Sequence, residues 1–423
     1  MNEAGIAGDS SGMDAGSPGD TYPAFKPDVG RIVKGSGYAM HDPVFVAVTW
    51  NSDPSQSLID AFVEGLGRSA YWQTVAQEYG LGAAVGGASN RVHIADKAPP
   101  TLTETSDARS DLWMLITASA GTTWPASTKD TAYVVFVPPG TRLLVETGDA
   151  GAASACSQGI YGYHGAVKSG DDEIAYAVIP SCRPKGSPVP QLSTIAMSHE
   201  LVETAANPFG IRPPLDSTGW YGFDPSHFAF AYFSELQAEL ADVCEFASPS
   251  FFMGDNAFPY FLQRVWSNAG GAAGHDPCVP PPARPYFNVT PLDLGDVQVT
   301  VPASVSGAAA TTFATRGLRL ADGQTGSFAV GFYSDQPTAG PWSVGVSPGN
   351  PILAQGDAGD RLAQSNPSRL QASIDRAMGQ NGDTAQVTVT VMTTGNAFQG
   401  ELLTLTSTLD GVSNTMPVWI GAQ

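Results

Sequence analysis

A chain of 423 residues, 42% of them hydrophobic, is long enough for two or three cores, and its 47 Gly and 33 Pro imply many turns between them. Forty acidic residues against 20 basic ones leave a formal charge of −20. Such a surface repels phosphate backbones and anionic lipid, which argues against nucleic-acid or membrane-surface partners, and it favours divalent cations.

Residues 1–35 open the chain as a flexible tail. The first 22 are small and polar without periodicity, and no signal peptide follows Met1, so the composition suits a tether from which a leader has been removed. From Pro43 order emerges. Residues 44–50 read as a buried strand by β-branched content, 55–66 and 69–79 as helices, and 91–95 as a short strand. A third helix is predicted over 107–120 with Leu112, Met114 and Leu115 facing inward, and further strands over 132–137, 142–146 and 174–179. Strands alternating with helices predict an α/β sheet domain over 36–278.

The next stretch carries the chemistry. The run from Ser193 to Pro208 reads as a helix stopped at Asn207-Pro208, because proline cannot continue one. Leu192, Ile195, Ala196, His199, Val202 and Glu203 share one broad face. His199 and Glu203 stand one turn apart, where two side chains can close on one cation. Glu200 lies on the flank, placed to act as general base on water held by that cation. The spacing H-E-x-x-E differs from the H-E-x-x-H zinc signature at its last position. An amphipathic helix with a hydrogen-bonded His and two surface glutamates would have the same spacing. Downstream, Glu239 and Asp242 are candidates to complete the ligand set; upstream, His164, between glycines and tyrosines, is a candidate ligand or oxyanion-orienting group, a role Tyr163 could also fill.

Four cysteines, Cys156, Cys182, Cys244 and Cys278, bracket this helix. No C-x-x-C occurs, so two disulfides are expected. Of three pairings, Cys156–Cys182 and Cys244–Cys278 are favoured because each closes a local loop, and they imply an oxidising compartment: secreted, cell-surface or periplasmic. Residues 234–245 read equally as a helix or a compact turn, and 251–266 as a hairpin around Gly254. No run in the chain is long and apolar enough to read as a transmembrane segment. A stiff Pro-rich linker, 279–285, marks the clearest boundary. Beyond it, 286–423 alternates apolar and polar residues between Gly-, Ser- and Asn-rich turns, as in an immunoglobulin-like β-sandwich, read as a module for contact with a cell surface or polymer.

The run Ser198-His-Glu-Leu-Val-Glu203, with Asn207-Pro208, Gly219-Trp220, Glu239, Asp242 and Cys244 in order, resembles a pattern in secreted bacterial and fungal proteins distantly similar to the exordium (phosphate-induced) family. The motifs around His164 and Tyr176 fit the same pattern, and the resemblance covers roughly residues 40–280. It implies a zincin-like mixed-sheet α/β domain with an active-site helix, in which His199 binds zinc, Glu200 acts on water, and Glu203, Glu239 and Asp242 are where further ligands lie. The expectation is a secreted metallopeptidase-like hydrolase acting on extracellular protein or peptide. The alternative is a non-catalytic extracellular scaffold or adhesion protein whose acidic cluster binds calcium or nothing.

Overall fold

A computed structural model of the protein describes residues 18–105, 110–146, 151–182, 189–212, 217–233, 238–245, 247–301, 310–349, 368–394 and 397–423. The apolar run Val44–Trp50 forms a strand (β1) whose side chains are nearly all buried, followed by α1 (Gln56–Leu66) and α2 (Ala70–Ala76). β1 lies between two parallel neighbours, β2 (Arg91–Ile94) and β3 (Thr131–Val137). β4 (Tyr163–Ser169) and β5 (Asp172–Pro180) complete a five-stranded sheet in the order β2-β1-β3-β5-β4. β5 runs parallel to β3, whereas β4 returns antiparallel and forms the sheet's edge. Both faces of the sheet are covered: Phe45, Ala47, Val134 and Ala177 pack toward α1, α2 and the helix α4 (Val189–Ala206), while Val46, Val48, Tyr133 and Val178 pack with the third helix, α3 (Asp111–Ser119). That double coverage explains why β1 and β3 read as unbroken apolar runs.

The chain as a whole is β-rich, which corrects the expectation of a zincin-like α/β domain: strand makes up 38% of it and helix 20%, in many small sheets with seven helices among the described residues. The physical reason is local. The second expected helix ends early, at Ala76 before Gly80; the third is described from Asp111, after the N-cap Ser110, with 106–109 outside the described residues; and of 234–245, read as helix or compact turn, the described part holds only the short α6 (Asp242–Glu245), with 234–237 outside the described residues. Meanwhile short pairings add strand: Thr101–Glu104 with Arg142–Glu146 and Ala152–Ser154, Val33–Lys34 with Trp220–Tyr221, and the hairpin β6 (Phe251–Met253) with β7 (Phe261–Gln263). In α3 Leu112 is buried as expected, but Met114 is 48% exposed.

Past Phe287 two sheets enclose a separate core that includes Val289, Phe328, Phe332, Trp342, Val387 and Leu405. One has four strands in the order Phe287–Pro291, Thr325–Ser334, Thr384–Val391, Leu370–Ile374; the other has six, from Gly295–Val301 to Met378–Gly379. This half is tied firmly to the first. Phe228 of α5 (Phe228–Phe233) meets Trp419 edge to face at 4.8 Å, within a cluster that also holds Val297, Val299 and Leu402. Residues 18–35, expected as tail, are pinned along both halves: Ala24 N–H donates to Asn381 Oδ1, Asp28 N–H to Thr290 Oγ1, and Ile32 N–H to Asn268 Oδ1. The linker is held as well, by the buried guanidinium of Arg264, which donates to the carbonyls of Pro280, Pro249 and Cys278 and pairs with Asp276. Among the described residues no helix is long and apolar enough to cross a membrane.

Candidate metal centre

α4 stops at Ala206, where Asn207 N–H donates to the Glu203 carbonyl before Pro208 ends the helix. From Glu200 to Asn207 every residue is buried, so the carboxylates at 200 and 203 are not surface decoration; Glu203 is 2% exposed. Burying an ionised carboxylate is costly unless it is paired, hydrogen-bonded or bound to metal. Glu203 is hydrogen-bonded: its Oε1 accepts from the backbone N–H groups of Ala241 (2.9 Å) and Asp242 (3.2 Å). Its other oxygen, Oε2, lies 3.0 Å from His199 Nε2, and Asp242 Oδ1 lies 3.2 Å from the same nitrogen. One donor atom from each of His199, Glu203 and Asp242 thus falls within 4.8 Å of the others.

The rest of the environment fixes which nitrogen of His199 is offered. Gln263, at the end of β7, donates its amide Nε2 to the Ala241 carbonyl (2.9 Å), which leaves Oε1 facing His199 Nδ1 at 3.1 Å. An oxygen there accepts only from an N–H, so the hydrogen-bond network assigns the proton to Nδ1. In the neutral ring Nε2 then presents a lone pair to two carboxylate oxygens, and only a cation between them, a proton or a metal ion, reconciles the three. An imidazole oriented through its far nitrogen is the usual arrangement of a metal-bound histidine. The donor set therefore fits a divalent cation.

The same physics shows in the acid–base properties. Burial alone would lower the His199 imidazole, but the charges of Glu203 and Glu200 and the contact with Asp242 hold it well above its ordinary range. Burial, and then the charge of Asp242, push the Glu203 carboxyl up. For Asp242 burial acts in the same direction, yet the hydrogen bond and charge of His199 keep it low.

Glu200 flanks this set. Its Oε1 is 4.0 Å from His199 Nε2, and its Oε2 is 3.3 Å from His164 Nδ1 on the edge strand β4. Gly162 makes room for it, because a Cβ there would stand 2.6 Å from Glu200 Cγ. Glu239 sits behind His164, 3.4 Å from Nε2, and accepts from Asn207 Nδ2 at 2.7 Å. Burial would lower His164 too, but Glu239 and Glu200 hold it well above its ordinary range. Tyr163 turns the other way, to the half-buried carboxylate of Glu104, which also accepts from Tyr176 and Trp113.

His164, His199, Glu200, Glu203, Glu239 and Asp242, all expected at the site, therefore meet in one place, whereas Tyr163 does not join them. His199, Glu203 and Asp242 form one donor set; His164 and Glu200 lie beside it, and Glu239 braces His164 and Asn207 without entering the set. Sequence reasoning missed Gln263, Asn207 as a hydrogen-bonding partner, and Gly162. Gln263 sits in an ordinary hairpin and gives no local signal. Both expected disulfides form, and both staple this site: Cys156–Cys182 ties the segment before β4 to the end of β5, and Cys244–Cys278 anchors the turn bearing Asp242.

No known family or curated protein matches this chain. Among solved structures, the titin M3 domain matches at 9% identity over 25% of this chain and 88% of its own, with a TM-score of 0.15. An endo-fucoidan hydrolase from glycoside hydrolase family 107 matches at 9% identity over 32% of this chain and 23% of its own, with a TM-score of 0.16. Likenesses this slight carry neither fold nor activity to the present chain.

Proposed function

We propose that the protein is a secreted, metal-dependent hydrolase, of metallopeptidase type, acting on extracellular protein or peptide. The observation that carries this reading is the convergence of His199 Nε2, Glu203 Oε2 and Asp242 Oδ1, with the proton of His199 held on the opposite nitrogen by Gln263. A cation there, zinc being the first candidate, supplies Lewis acidity that lowers the pKa of a water and polarises a carbonyl. The chain supplies the rest. Glu200 is placed to take the water's proton and return it to the leaving amine. His164, hydrogen-bonded to Glu200, orients that carboxylate and offers positive charge beside a developing oxyanion. The two disulfides support an oxidising compartment. The separate core past Phe287 supports reading that half as a unit of its own, to which we assign contact with a cell surface or polymer.

The donor set also favours a second reading. Two carboxylates to one imidazole make a weaker Lewis acid than two imidazoles would, and suit harder cations. A non-catalytic extracellular protein binding calcium at this site follows if calcium is the resident ion. The test is peptidase activity of zinc-loaded protein against Glu200→Gln. Loss of activity in the variant with full zinc content supports the hydrolase; an inactive wild type carrying only calcium supports the alternative.

A further inference from the structure

Glu203 belongs to two donor sets. Besides the one with His199 and Asp242, it forms a second with His164 and Glu200, again with one donor atom from each residue and all three within 4.8 Å of one another. The second set is enclosed: the side chains of His164, Glu200 and Glu203 are 4%, 7% and 3% exposed. His164 Nδ1 faces Glu200, while Nε2 has only the 3.4 Å contact with Glu239 Oε1, a carboxylate outside the set that orients the ring.

The distance points the same way. Nδ1 lies 3.3 Å from Glu200 Oε2. That exceeds the ~2.7–2.9 Å of a charge-assisted N–H···O bond. It is close to the ~3.3 Å that separates neighbouring donors in a tetrahedron around zinc, where each bond is about 2.0–2.1 Å. Charge balance adds a reason. Four carboxylates (Glu200, Glu203, Glu239 and Asp242) crowd the two imidazoles, so one divalent cation leaves the cluster negative.

We propose that His164, Glu200 and Glu203 form a second divalent-cation site whose occupancy inhibits the protein. This rests on the reading of His199, Glu203 and Asp242 as the first site. The imidazole directs the second site toward zinc-like cations rather than calcium. Binding there makes the Glu200 carboxylate a ligand and withdraws it from proton transfer. The two ions share Glu203 and repel each other, so the second binds more weakly than the first.

The test is equilibrium dialysis of the full chain against rising free zinc, with zinc per chain read by plasma mass spectrometry. Wild type is expected to hold about one zinc at low free concentration and to approach two as it rises, with peptidase activity falling over the second step. His164→Ala and His164→Gln are expected to stay at one throughout. A wild type that saturates at one zinc, or His164 variants that still take up two, would overturn the proposal. A wild type that binds none would overturn the first site as well. The wild-type count decides the matter by itself if a His164 variant fails to fold.

Discussion

Gln263 offers the sharpest test of how the first site is built. Its amide makes two side-chain hydrogen bonds, accepting from His199 Nδ1 at 3.1 Å and donating to the Ala241 carbonyl at 2.9 Å. Its backbone N–H donates to Ser198 Oγ, a bond that Met or Glu at this position keeps. Gln263→Met keeps the volume but removes both side-chain bonds. The imidazole then loses the contact that fixes its tautomer and orientation, and such partners are typically worth 10- to 100-fold in metal affinity, roughly 1.4–2.8 kcal/mol. Gln263→Glu keeps an acceptor for Nδ1 while losing the donor to Ala241, so the difference between the two variants isolates the contact with His199. Zinc affinity measured by competition with a chromophoric chelator is expected to fall 10- to 100-fold in Gln263→Met and much less in Gln263→Glu. If Gln263→Met binds zinc within twofold of wild type, the tautomer argument is refuted.

Gly162→Ala would press a methyl group to within 2.6 Å of Glu200 Cγ. Its kcat is expected to drop by about 100-fold through misplacement of that carboxylate, with zinc content unchanged in the same preparations. Replacing Cys244 and Cys278 together by serine removes the staple beside Asp242. It is expected to lower stability by about 2–5 kcal/mol in chemical denaturation and to weaken zinc binding, whereas a loss of stability with intact zinc affinity would separate the staple from the site. Away from the metal centre, His227 bridges Asp224 and Asp28, and Asp28 also meets Arg316. Burial opposes the charge on His227, but the two aspartates raise it from 6.5 to about 9, while its hydrogen bond lowers Asp28 from 3.8 to about 2. The His227 contribution is therefore full below pH 6.5 and lost as pH rises through about 9; that of Asp28 is full above 3.8 and lost as pH falls through about 2. Melting temperature should be highest between those limits, and His227→Gln should flatten its fall on the alkaline side.

Much of the site could be read from the chain because helix periodicity is local. His199, Glu200 and Glu203 lie within two turns, and Asn207-Pro208 announces where the helix ends. The disulfides were legible for a similar reason, since each closes a loop of 26 or 34 residues. Strand alternation also excludes one candidate: Tyr163 and His164 are neighbours on β4, so they must face opposite sides, and Tyr163 turns to Glu104. What stayed hidden depends on distant pairing. The backbone donors to Glu203 come from Ala241 and Asp242, 38 and 39 residues away, and Gln263 reaches His199 across 64. The β-rich balance was missed for a similar reason. Short pairings such as Val33–Lys34 with Trp220–Tyr221 leave no periodic signal. The packing of residues 18–35 against both halves had no signal either, because it is made by backbone N–H groups reaching side chains more than 200 positions away.

The central claim is that His199 Nε2, Glu203 and Asp242 hold a catalytic cation. Its most direct test is the metal content of the purified protein at low free zinc, with wild type and His199→Ala measured side by side. About one zinc per chain in the wild type, lost in the variant, is the predicted result. Calcium alone, or no metal in either sample after zinc is offered, would contradict it.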